Sequence, residues 1–297
     1  MRHEQVENRS LLLQLYLCYA SPMQRAIFIM FIAMSFIPAG DTAGKLLSSD
    51  LGVQPLFIAW SRFALGALLI LPFIHRDAWR LLRDWRIWGR AVILCCGISS
   101  IQVALSMAPI ADVFAAFFIG PLVSYALAAV FLKEPITWQR TVLVGVGFVG
   151  VLIVVQPGAE MNTGLIWAAV AGTCYGMFLT ASRWLSHLGT PIAFTFTQLF
   201  IAALVLAPFG LTNVPAMTVN VSALVLASAL FSMLGNLLLL YAYSTAPATK
   251  LAPFVYFQLL AAVLLGWLVF DTWPAMLTWV GLLVVMGAGV LSARLKT

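Results

Sequence analysis

The chain reads as a succession of long apolar stretches divided by short polar breaks. Ten can be marked, at residues 26–47, 54–74, 87–105, 109–132, 138–155, 165–184, 191–211, 219–243, 247–270 and 273–293. A helix of about 20 apolar residues crosses the hydrocarbon core of a bilayer. Lipid tolerates no unpaired backbone group, and no segment alternates apolar and polar positions as barrel strands do. The pattern therefore predicts an all-α fold, a polytopic membrane bundle of ten transmembrane helices.

The pattern also repeats. Residues 55–73 lie over residues 191–209 without gaps, matching at Pro55/Pro191, Ala67/Ala203, Leu68/Leu204, Pro72/Pro208 and Phe73/Phe209. Ser106, Ala108 and Pro109 match Ser244, Ala246 and Pro247, with Gly97/Gly235 and Ala104/Ala242 in the same register. A five-helix unit thus occurs twice. Because five is odd, the second copy enters the membrane from the opposite side, and the result is two inverted five-helix repeats. Secondary transporters are built this way, their halves rocking about a site near the midplane.

Charge changes the picture next. Only 9% of residues are charged, where a soluble domain carries roughly 25%. With the N-terminus inside, 13 of the 16 Lys and Arg residues fall in cytoplasmic segments: Arg2, Arg9, Arg25, Arg76, Arg80, Arg83, Arg86, Arg90, Lys133, Arg140, Arg183, Arg294 and Lys296. External loops hold none, and Asp50, Glu160 and Asp271 fall there. The net charge of +6 is thus a topology signal that places both termini in the cytoplasm and the chain in the cell inner membrane. It gives no reason to invoke nucleic acid. Residues 11–20 are apolar but too short to span, so residues 1–25 are expected as a cytoplasmic tail; Met23 is an alternative start. Four cysteines in the tail or the spans imply neither a disulfide framework nor a metal site.

At this point the sequence resembles the drug/metabolite transporter superfamily, specifically its ten-helix EamA-type carriers. The resemblance rests on Asp41, Lys45 and Leu46 in the first span, on Pro55, Trp60, Ser61, Arg62 and Phe63 in the second, on Ala108 and Pro109, and on Phe131, Leu132, Lys133 and Glu134 after the fourth. The second copy departs from it, with Gln198 in the place of Arg62 and Phe270, Asp271 and Thr272 in the place of Leu132, Lys133 and Glu134. The resemblance implies residues 26–155 as the first EamA-like repeat, 164–293 as the second, and 294–297 as a cytoplasmic tail. It also implies proton-coupled or facilitated movement of small organic solutes.

A charge at mid-depth in a bilayer costs roughly 3 kcal/mol or more, so the five ionisable residues inside the spans, Asp41, Lys45, Arg62, Asp112 and Lys250, are candidates for substrate binding or coupling. Asp41 and Lys45 are four apart on one helix face and are expected to neutralise each other, either as a structural pair or as a gate. Pro38 and Gly40 suggest a locally broken first helix. Arg62 is too deep to reach water and must face protein, solute or Asp41. Asp112 and Lys250 occupy equivalent positions, three residues after Pro109 and Pro247, near the membrane interface or in the solute path. Phe117 and Tyr256 belong to aromatic groups in the fourth and ninth spans, read as core or as stacking faces; Gln102, Asn236 and Gln258 are polar groups suited to orienting a ligand. Gly120 and Pro121 are expected to bend the fourth span, and the glycines of the fifth and tenth to allow close packing.

These features favour alternating-access transport of a small, planar, weakly charged metabolite, for example a vitamin such as riboflavin, over a phosphate ester, which would call for several cations in the cavity. Alternatives of the same fold are an amino-acid or drug exporter, a lipid flippase or a subunit of a membrane assembly. The partners expected are a small-molecule substrate and the lipid bilayer, with a homodimer left open. An enzyme is not expected, because the three histidines lie in the tail or loops and no nucleophile or phosphate-loop motif occurs. No cofactor is implied.

Overall fold

The structure, a computed structural model, describes residues 22–107, 110–155, 163–271 and 276–294. The tail with Cys18, together with Pro109, Glu160, Thr272, Trp273 and Lys296, lies outside the described residues, as does the side chain of Asp112. The first repeat is built from α1 (Pro22–Ser49), α2 (Pro55–Ile70), α3 (Arg76–Leu81), α4 (Trp85–Met107), α5 (Ile110–Phe117), α6 (Ile119–Phe131) and α7 (Trp138–Val155). The second comprises α8 (Thr163–Leu185), α9 (Pro191–Leu211), α10 (Val219–Thr245), α11 (Ala248–Val255), α12 (Phe257–Phe270) and α13 (Met276–Arg294). Among the described residues, α1, α2, α4, α8, α9 and α10 are each long and apolar enough to cross a membrane. Spans five and ten are the shorter α7 and α13, and spans four and nine are each two helices end to end. Large side chains face outward where lipid would cover them, such as Leu68 and Leu283. The chain is a multi-pass membrane protein, a ten-span bundle of two inverted repeats.

The two breaks fall in register. Helical hydrogen bonding stops at Phe118 between α5 and α6, and at Tyr256 between α11 and α12, 138 residues on. The residues that end these spans also match: Lys133 and Asp271 are both left-handed, with φ of 52° and 51°. In the first break Pro121 has no N–H to offer the Phe117 carbonyl four residues back, and that carbonyl packs directly on α8. A side chain at Gly172 would collide with it, and one at Gly176 would come within 2.5 Å of the Gly120 carbonyl.

Helix pairs repeat as well. Gly235 of α10 rests on Ala33 and Ile37 of α1, while its counterpart Gly97 of α4 rests on Ala171 and Cys174 of α8. Gly150 of α7 lies against the Gly281 carbonyl and Val285 of α13, the close packing expected of the glycines in these two spans, whereas Gly145 and Gly287 face open space and do not share it. One end of the bundle is basic, carrying Arg76, Arg80, Arg83, Lys133 and Arg183. There Asp84 accepts the Arg86 backbone N–H (2.9 Å) and pairs with its guanidinium (2.6 Å), which holds the Asp84 carboxyl below the usual carboxylate range.

Candidate functional site

The site is organised around one buried cation. Arg62, on the second turn of α2, is 3% exposed. Its Nη1 donates to the Asp41 carboxylate of α1 at 2.8 Å, its Nε donates to Ser232 Oγ of α10 at 2.7 Å, and its Nη2 also meets Ser232 Oγ. Close approach of α1 and α10 makes this possible: Ser228 Oγ donates to the Gly40 carbonyl (2.9 Å), and a Cβ at Gly40 would lie 2.5 Å from Ser232 Oγ and 3.1 Å from Arg62. Three helices of both repeats thus meet at one ion pair. Neither charge is left alone in low dielectric, where an unpaired one costs several kcal/mol.

Beside the pair runs a cavity lined by Ile37, Asp41, Arg62, Leu94, Phe114, Phe117, Tyr175, Asn236 and Gln258, among others. Phe117 meets Tyr175 in a tilted ring contact, with centroids 5.2 Å apart and planes at 39°. Asn236 uses its Nδ2 on the Ser232 carbonyl (2.9 Å), which leaves its Oδ1 without a partner; the Tyr175 hydroxyl and Gln258 Oε1 are likewise buried without one. The free space has room for about two water molecules, not for a ring system, so the conformation is a contracted one. A narrower space, lined by Pro38, Asp41, Thr42, Leu105, Phe114, Ala262, Gly266 and Phe270, continues from Asp41 and Phe114 toward the end opposite the basic one.

The structure brings together five of the ten residues singled out in the sequence, namely Asp41, Arg62, Phe117, Asn236 and Gln258. Four others lie elsewhere. Lys45 does not pair with Asp41; it stands one turn nearer the end of α1 with its ammonium 5.7 Å from the Phe270 ring centre, and Arg62 takes the carboxylate instead. Tyr256 is fully buried away from this cavity, between Phe118 and Gly147 of α7. Gln102 packs against α1 at Gly44. Lys250 is on α11 at the basic end, within electrostatic range of Arg140 and Glu134. The tenth is Asp112. The break expected at Pro38 is not present: α1 runs through it as one helix.

Ser232 and Tyr175 are the site residues that sequence reasoning missed. Ser228, Ser232 and Asn236 recur every four residues in an otherwise apolar span, a polar stripe that marks the buried face of α10. Two cations assigned to loops are also buried. Arg140 is 3% exposed; Arg90 is 1% exposed and lies between the rings of Phe178 and Phe194 at 4.8 and 4.9 Å. Arg90 donates to Ser182 (2.9 Å) and to Gln198 (2.6 Å). Gln198, which replaces Arg62 in the second repeat, therefore serves as an acceptor for a cation supplied by α4.

Comparison with known proteins matches these features. The model of the EamA-like transporter family fits twice, over residues 24–156 and 162–294. An S-adenosylmethionine uptake transporter of Rickettsia bellii is 28% identical over 84% of this chain and 87% of its own. A riboflavin transporter of Brucella anthropi is 26% identical over 89% of this chain and 97% of its own. A solved crystal structure at 16% identity superposes with a TM-score of 0.72 over 91% of this chain and 99% of that one, which shows the shared fold. These relatives are transporters and not enzymes, and the chain belongs to the EamA-like transporter family.

Proposed function

We propose that this transporter carries a flat, net-neutral, hydrogen-bonding solute of the riboflavin kind through the cavity beside Asp41 and Arg62. The observation that carries the reading is the convergence of the Tyr175 hydroxyl, Asn236 Oδ1 and Gln258 Oε1, each buried and unpartnered, on a wall formed by Phe114 and Phe117. Aromatic faces stack on a planar ring, and a hydroxyl with two amides offers both donors and acceptors to ring carbonyls and an imide N–H. Arg62 is already matched by Asp41, so the described lining of the cavity has no spare cation for a phosphate ester. The riboflavin transporter of Brucella anthropi, which this chain matches over nearly its whole length, supports the same class.

Asp41 lines both spaces, and this favours a second reading, a cationic solute with an aminated ring such as S-adenosylmethionine. A neutral ring accounts better for a pair that already balances its own charge. In this account the basic end faces the cytoplasm, the termini lie there, and the chain sits in the inner membrane as two repeats. The contracted cavity widens as the repeats rock, opening to each side in turn.

The test is uptake into proteoliposomes containing only this chain, with radiolabelled riboflavin and S-adenosylmethionine measured in parallel. Saturable riboflavin uptake, unaffected by excess S-adenosylmethionine, is expected. Uptake of S-adenosylmethionine alone would replace the first reading by the second, and uptake of neither would remove both.

A further inference from the structure

The basic end of the bundle is fastened through one carboxylate. At the basic end, Glu134 follows α6 and gathers donors from the second repeat: the N–H groups of Ala248 (3.2 Å) and Thr249 (2.9 Å) at the start of α11, and the Thr249 hydroxyl (2.8 Å). The Arg183 Nε of α8 pairs with the same carboxylate at 3.4 Å, and its Nη1 continues to the Tyr243 and Ser244 carbonyls at the end of α10 (3.3 and 3.4 Å). One carboxylate therefore fastens the end of α6 to α8, α10 and α11. Charge-assisted bonds of this kind are stronger than neutral ones, and the opening helix dipole of α11 adds to them.

The inverted repeat supplies an internal control. Lys133 and Asp271 share the same left-handed backbone, so the residue after each is equivalent: Glu134 in the first repeat and Thr272 in the second. The second repeat has no carboxylate at that position. The space that runs from Asp41 past Thr42 to Phe270 leads toward this second end.

We propose that Glu134 is the gating residue of the transport cycle, a positioning residue that touches no solute. Its hold on α11 and Arg183 keeps the basic end shut, and letting go is the step that opens the site to that side. At the equivalent position of the second repeat Thr272 carries no carboxylate to make such a hold, so the resting transporter favours access from the opposite end. This inference stands whichever solute is carried.

The test uses two reporters in full-length protein whose Cys18, Cys95, Cys96 and Cys174 are replaced by alanine. Thr42→Cys reports the opposite end. Ser124→Cys reports the basic-end side, where Ser124 is fully buried against Thr180 of α8. Labelling by N-ethylmaleimide is followed in detergent, so that both ends are equally accessible to reagent. Without further change, Thr42→Cys is expected to label quickly and Ser124→Cys slowly. Adding Glu134→Gln should speed labelling at Ser124→Cys by about tenfold, the scale of one lost charged hydrogen bond, and slow it at Thr42→Cys. Arg183→Gln, which leaves the α11 contacts in place, should act in the same direction more weakly and serves where Glu134→Gln does not fold. Faster labelling at both positions would mean that Glu134 only stabilises the fold, and unchanged rates would mean that it holds nothing shut; either result overturns the proposal.

Discussion

Arg62 of α2 and Asp41 of α1 form a buried ion pair at 2.8 Å, while Lys45, one turn from Asp41 on its own helix, turns away to Phe270. Depth explains the choice. Lys45 is four residues from the end of α1, and its flexible stem can carry the ammonium toward the interface. Arg62 has no such exit and requires a partner inside. Removing it strands the Asp41 carboxylate, so Arg62→Ala should abolish transport and cost about 3–5 kcal/mol of stability. Asp41→Asn combined with Arg62→Gln should recover much of the stability but not the transport. Thermal unfolding in detergent, run beside an uptake assay, measures both.

The cavity wall separates two aromatic residues that look alike in the sequence. Phe117 faces the cavity and Tyr256 packs on Gly147. A lost stacking face is worth about 0.5–1.5 kcal/mol, so Phe117→Ala should raise the half-saturation concentration for a planar solute several-fold. Tyr256→Ala should lower thermal stability and leave half-saturation unchanged. Initial uptake rates against solute concentration decide the matter; a higher half-saturation in Tyr256→Ala would contradict the assigned wall.

The approach of α1 to α10 makes a third claim. A methyl at Gly40 would press on Ser232 Oγ, the Arg62 guanidinium and the Ser228 carbonyl, whereas one at Gly145 meets nothing within 4 Å. Gly40→Ala should therefore reduce both stability and transport. Gly145→Ala should stabilise slightly, by about 0.5–1 kcal/mol, because alanine loses less backbone entropy in a helix. Comparing melting temperatures and uptake of the two variants is sufficient, and equal behaviour would show that the α1–α10 contact is looser than described.

Orientation can be checked from outside the cell. Ser49 and Thr163 are exposed at the end opposite the basic one. A cysteine at either position should react with an impermeant maleimide added to intact cells. Reaction at one alone would contradict the ten-span inverted arrangement, and reaction at neither would reverse the assignment of the ends.

Much of this architecture is legible in the residues. Apolar run lengths give the ten spans, and the match of Pro109 with Pro247 anticipates that Phe118 and Tyr256 interrupt equivalent helices. Intramembrane charge led to Asp41 and Arg62 because burying either one is costly. The partner of Asp41 is only half legible: depth offers Asp41 to Arg62, spacing of four residues on one helix offers it to Lys45, and the contact that forms is the first, joining α1 to α2. Cavity membership of Tyr175, and its denial to Tyr256, depends on how α8 and α11 are rotated in the bundle, which hydropathy alone does not fix. Arg90 sits five residues beyond the start of α4, close enough to a loop to be counted with it, yet it points inward to Ser182 and Gln198.

The central claim is that the cavity between α1, α2, α4, α5, α8, α10 and α12 is where the solute passes, held by groups that have no partner among the described residues. The most direct measurement is riboflavin uptake by proteoliposomes containing the wild-type chain or the double variant Asn236→Ala/Gln258→Ala. Leaving ligand polar groups unpaired in a buried site costs about 1–3 kcal/mol each. The account predicts saturable uptake by the wild type, with transport efficiency at least about tenfold lower in a double variant that folds and melts normally. Wild-type kinetics in that variant would contradict it.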